Sequence, residues 1–162
     1  LAFSIYLGLP MSFLLLLRGY QVGWPLSRGA WWVLAALIGV WSFDSAAFFA
    51  GRFFGRHKLA PRISPGKTWE GVLGGLIVSI IVSLLITVGP LGLPWYLGVF
   101  LGILIGVAAV LGDLAESLMK RQTHVKDSGQ IMPGHGGILD RIDSLLFVLI
   151  VVYLFAQLIG VI

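Results

Sequence analysis

The sequence predicts an all-α fold, a polytopic transmembrane bundle of about five membrane helices, because apolar runs recur at the roughly twenty-residue length that crosses a hydrocarbon core. Mean hydropathy is +0.98, and 58% of residues are hydrophobic against 11% charged. A water-soluble domain would not present so much apolar surface.

The spans follow from the runs and their breakers. Residues 1–17 are apolar and short for a span, with Pro10 near the middle. A connection at 18–28 carries Gly19, Gly23 and Pro25. Residues 30–49 form the next span, opening on Trp31 and Trp32 as interfacial anchors. The segment 51–68 holds Arg52, Arg56, Lys58, Arg62 and Lys67, is too basic for lipid, and reads as a polar loop in which Ser64 and Pro65 start a turn. Thr68 is placed to cap the span at 71–88, whose Gly71, Gly74 and Gly75 let another helix approach closely and mark a candidate contact for a homodimer. After an uncharged turn, residues 96–119 span again, a polar loop runs to Gly137, and 138–162 is the last span. Residues 1–29 then form an N-terminal membrane helix and connection, and 30–162 a C-terminal membrane domain. Residue 1 is a Leu inside an apolar run with no charged leader, so the chain is expected to be the C-terminal part of a longer membrane protein.

Basic residues orient the bundle. The segments 51–68 and 120–141 fall on one side and hold all of the Lys and Arg except Arg18 and Arg28, which makes that side cytoplasmic. The net charge of +4 suits anionic head groups or phosphate ligands. No interleaving of aromatic and basic residues suggests a nucleic-acid module. With no Cys and three scattered His, thiolate and clustered-imidazole metal sites are excluded.

The segment 112–144 holds five of the seven acidic residues: Asp113, Glu116, Asp127, Asp140 and Asp143. On one helix Asp113, Glu116, Ser117 and Lys120 fall at i, i+3, i+4 and i+7, so they share a face. Asp113 sits roughly 10 Å below Lys120, where an unpaired carboxylate costs on the order of 3 kcal/mol. Asp44 lies similarly deep below Arg52, and Asp140 and Asp143 share a face at the start of the last span. Oxygen donors without sulfur suit a hard cation, Mg²⁺. The competing reading is a set of salt bridges to Arg52, Arg121 and Arg141 that only packs helices. The loop 133–137, PGHGG, exposes amides where an anion could rest. The run SPGKTWEG imitates the end of a Walker A sequence, but Pro61 stands where its first Gly belongs and no strand precedes it, so a P-loop is excluded.

Ser117, Lys120, Arg121, Lys126, Asp127, PGHGG, Asp140, Arg141 and Asp143, in this order and spacing, resemble the signature of the phosphatidate cytidylyltransferase family. WSFDSAAFFAGRFFG, SPGKTWEG and GDLAES extend the likeness, which runs from about residue 41 to residue 144 and is nearest the bacterial integral-membrane branch. The resemblance implies that CTP and phosphatidic acid give CDP-diacylglycerol and pyrophosphate with Mg²⁺, and leaves room for a second, monovalent cation. It implies Asp113, Asp140 and Asp143 as metal ligands with Asp44 in addition, and Lys126 and Asp127 beside them as catalytic residues. Substrate contacts are implied for Ser64, Lys67, Thr68, Glu70, Ser117, Lys120, Arg121 and Arg141, and for Gly134, His135, Gly136 and Gly137. It implies a multi-pass protein of the bacterial inner membrane with its site near the cytoplasmic face.

The alternatives are a CTP-dependent polyprenol kinase-like enzyme, which would transfer phosphoryl rather than cytidylyl, and a cation transporter with intramembrane Asp. The DG-x-x-AR segment of CDP-alcohol phosphotransferases is absent. A transport path should also carry polar groups in the far half, yet the turn at 88–95 is uncharged.

Overall fold

The computed structural model describes residues 2–19, 26–122 and 139–161. Among them the chain forms α1 (Ala2–Arg18), α2 (Arg28–Phe54), a hairpin of β1 (Lys58–Ala60) and β2 (Ser64–Thr68), then α3 (Trp69–Val88), α4 (Trp95–Gln122) and α5 (Leu139–Leu158). Helices α2, α3, α4 and α5 pack in sequence around a common core, α5 also touches α2, and α1 lies against α2 and α5. Trp32, Val40, Leu101, Ile105, Leu146, Leu149 and Val152 are fully enclosed.

Chain chemistry sets the helix ends. Ser27 caps α2, accepting from Ala30 N–H at 3.2 Å, and Arg18 Nη1 donates to the same Oγ at 2.7 Å, which ties α1 to α2. Thr68 caps α3 as expected, accepting from Gly71 N–H at 3.2 Å. Gly89 and Pro90 end α3, and the next helix starts directly after Pro94. α1 runs through Pro10, which forfeits one backbone hydrogen bond.

α3 is polar inside and apolar outside. Gly71, Gly75, Ser79, Ser83 and Thr87 form its buried stripe, while Leu73, Ile77, Ile81 and Leu85 point outward and are exposed. That inversion suits lipid, where small residues allow close helix contact and apolar residues lose nothing by facing out. Ser79 Oγ donates to Gly102 C=O on α4 at 2.9 Å. The three helices Arg28–Phe54, Trp69–Val88 and Trp95–Arg121 are long and apolar enough to cross a membrane; the apolar parts of α1 and α5 among the described residues, Gly8–Arg18 and Asp143–Leu158, are shorter.

Two expectations change. The segment read as a polar loop contains an antiparallel hairpin whose turn lies at 61–63, so Ser64 begins a strand opposite Ala60 and does not start the turn. A short hairpin with one Pro and one Gly in its second strand carries almost no apolar alternation, which hid it. The α3 glycines serve a contact within the chain: a Cβ at Gly71 would stand 2.8 Å from Ala47 O, and one at Gly74 2.5 Å from the Ala50 Cβ, so α2 occupies the face that was offered for a dimer.

Candidate active site

The hairpin end of the bundle holds a cavity of about 500 Å³. From α2 come Asp44, Ala47, Phe48, Gly51 and Arg52, spaced i, i+3, i+4, i+7 and i+8 along one helical face. β2 and its junction with α3 supply Gly66, Lys67, Thr68, Gly71 and Val72; α4 supplies Val110 and Asp113; α5 supplies Asp143 and Ser144. Carboxylates from α2, α4 and α5 thus meet one cavity.

Lys67 reaches in from β2 and forms an ion pair with Asp113, its Nζ buried. Asp44 lines the same cavity as Asp113, Asp143 and Lys67. Among the described residues Lys67 and Arg52 share the cavity lining with three carboxylates, which leaves a small excess of negative charge. Asp143 is 7% exposed, and its Oδ1 accepts from Ser144 N–H at 2.6 Å.

Close helix approach creates this meeting. A Cβ at Gly112 would stand 2.9 Å from Ser144 Cα and 3.0 Å from Asp143 O. Both are backbone atoms, so α4 and α5 touch one residue before Asp113, and only Gly allows it. We expect Gly112→Val to push the two helices apart, lowering stability by about 1–3 kcal/mol through overpacking. A lower thermal transition in detergent, with turnover reduced even at temperatures where the variant stays folded, checks this.

The packing reading named other partners for the carboxylates. Asp113 pairs with Lys67, whereas Arg121 donates from Nε to Ile63 C=O at 3.3 Å. Arg52, which the sequence offers only as a packing or loop cation, lines the cavity, and its register with Asp44 on α2 is the signal for that placement. Thr68 also lines the cavity with its hydroxyl capping α3. Glu116 is 2% exposed and pairs with Lys120 at 3.3 Å one turn along α4, outside the cavity lining. Ser64, Ser117 and Arg121 are also outside that lining, and Glu70 turns toward His57. Lys126, Asp127, Gly134, His135, Gly136 and Gly137 lie outside the described residues, as do the side chains of Asp140 and Arg141 in the first turn of α5.

The donors fit Mg²⁺ in kind: carboxylate oxygens with space around them. Among the described residues no three such groups converge as a ready-made metal cage. Mg²⁺ commonly binds through one or two carboxylates plus water and phosphate, so a cage is not required.

A helical bundle with apolar outward stripes and a cavity lined by both carboxylates and basic side chains at its hairpin end defines a multi-pass membrane protein. The chain belongs to the cytidylyltransferase family, whose model matches residues 2–159. It is 53% identical over 144 residues to the phosphatidate cytidylyltransferase of Pseudomonas aeruginosa, covering 85% of this chain and 52% of that protein. The enzyme of that name from Haemophilus influenzae is 47% identical over 123 residues, 73% of this chain and 43% of the relative. The Bacillus subtilis enzyme is 38% identical over 151 residues, 93% and 54% respectively. The chain spans about half the length of the curated relatives it matches.

Proposed function

We propose that this chain carries the catalytic end of a phosphatidate cytidylyltransferase, converting CTP and phosphatidic acid to CDP-diacylglycerol and pyrophosphate. The observation that carries the reading is Lys67, held on a hairpin and paired with Asp113 inside the cavity that Asp44 and Asp143 share.

A phosphate oxygen of phosphatidate forms a bond to the α-phosphorus of CTP, the bond from that phosphorus to the bridging oxygen breaks, and pyrophosphate leaves. The attacking oxygen is already ionised near neutral pH, so no strong base is needed. The obstacle is anion repulsion, and fixed positive charge at the right place lowers it. Lys67 and Arg52 supply that charge from two sides of the cavity. Asp44, Asp113 and Asp143, with Asp140, would hold Mg²⁺, which when bound screens phosphate charge. Holding both substrates in line supplies much of the remaining rate.

Phosphatidate needs access from lipid. Phe48 lines the cavity and is also 61% exposed on the outer side of α2, so a head group can enter beside it while its acyl chains stay in the bilayer. The basic hairpin, the C-terminal end of α4 and the N-terminal end of α5 share one side, which the positive-inside bias makes cytoplasmic in a bacterial inner membrane.

CTP labelled at the α-phosphorus tests the reaction. The expected result is label in the lipid fraction and unlabelled pyrophosphate, dependent on Mg²⁺. Lipid labelled only from γ-labelled CTP would mean phosphoryl transfer, and the polyprenol kinase-like reading would replace this one.

A further inference from the structure

We infer that Glu70 is a positioning residue that clasps the hairpin through His57 and so aims Lys67 into the cavity. This rests on the proposed role of Lys67 for its consequence in turnover, and on geometry alone for the clasp.

The hairpin is irregular where Lys67 leaves it. Lys58 pairs with Thr68 and Ala60 with Ser64, so Pro65, Gly66 and Lys67 stand opposite Leu59 alone. Such bulges re-aim a side chain beside an active site and weaken the ladder that would otherwise fix it. Two strands of this length are marginal by themselves. The direction of Lys67 therefore depends on what anchors the hairpin to the helices.

Glu70 provides the anchor at the base. Its carboxylate oxygens accept from His57 N–H, each at 3.3 Å, and Oε1 lies 2.6 Å from His57 Nδ1. Trp69 N–H donates to His57 C=O at 3.0 Å, so residue 57 is gripped on both sides of its backbone. At the turn, Arg121 Nε donates to Ile63 C=O at 3.3 Å. The base is thus fixed to α3 and the turn to α4, with Lys67 between these two anchors. Glu70 is absent from the cavity lining, which separates it from residues that would touch substrate.

The chain has no Cys, so a nitroxide on Arg62→Cys at the exposed hairpin turn reports hairpin motion cleanly. In this labelled protein, Glu70→Ala should make the label markedly more mobile. In the unlabelled protein, Glu70→Ala should lower kcat by roughly tenfold to a hundredfold, the cost of an ångström-scale misplacement. His57→Ala should cost less, because the backbone N–H remains, and the double variant should behave like Glu70→Ala alone. On a Lys67→Ala background, Glu70→Ala should cost nothing further. Equal losses with and without Lys67, or an unchanged label in Glu70→Ala, would overturn the inference. The label reading needs no turnover, so it decides the clasp even if the protein transfers no cytidylyl group.

Discussion

Asp143→Asn should leave the protein folded and reduce cytidylyl transfer by at least ~10²-fold, the scale on which a removed electrostatic group is felt at a reacting centre. The replacement is nearly isosteric, and its amide oxygen can still accept from Ser144 N–H, so the contact with α4 near Gly112 persists. The sign of the stability change separates two roles. Among the described residues no ion pair joins Asp143 to a basic group, and it shares its cavity with the carboxylates of Asp44 and Asp113. Neutralising it therefore relieves repulsion, and the thermal transition without Mg²⁺ should stay level or rise. A carboxylate whose work was to hold a salt bridge would instead be missed, and the transition would fall. Mg²⁺ supplies the second measurement. A ligand that binds the folded state raises its stability, with the logarithm of its concentration over its dissociation constant. Wild-type protein should gain thermal stability with added Mg²⁺, and Asp143→Asn should gain much less. Turnover at the wild-type rate would remove Asp143 from the proposed site.

Much of this arrangement was legible in the chain, for a physical reason. Lipid makes apolar length and polar exceptions conspicuous, so the helices, and Asp44, Asp113 and Asp143 as polar exceptions on three of them, could be read from hydropathy and spacing. The cap at Thr68 was visible because a hydroxyl three residues before Gly71 N–H has one obvious use. The hairpin was not visible, because its order comes from Glu70, Trp69 and Arg121 on the helices, not from a strand pattern of its own. The partner of Asp113 was also missed. The sequence points to Arg52, Arg121 and Arg141, near in sequence or at span ends, whereas Lys67 arrives through a bulge that no periodicity encodes. Glycine was informative about close contact and silent about direction. Gly71 and Gly74 announced a tight neighbour, and only the packed bundle made that neighbour α2.

Lys67→Met tests the other half of the site, and its largest effect should again be on rate, a loss of about 10²–10³-fold. The pair it breaks is only partly buried, with side-chain exposures of 21% for Lys67 and 37% for Asp113, so water screens the orphaned carboxylate. The accompanying loss of stability should be small, on the order of 1 kcal/mol or less. Adding Asp113→Asn then decides what the pair is for. Removing both partners of an ion pair that serves only packing restores a neutral, satisfied site and can be nearly free, whereas removing one leaves the other exposed to its desolvation cost. Lys67→Met with Asp113→Asn should therefore regain the wild-type thermal transition and regain no turnover, because the positive charge proposed to meet phosphate and the carboxylate proposed to hold the metal are both gone. Recovery of activity along with stability would make the pair a structural clip and move the chemistry elsewhere in the bundle. Lys67→Arg sharpens the comparison: it keeps the charge on a longer, planar head, so it should retain more activity than Lys67→Met while falling below the wild type.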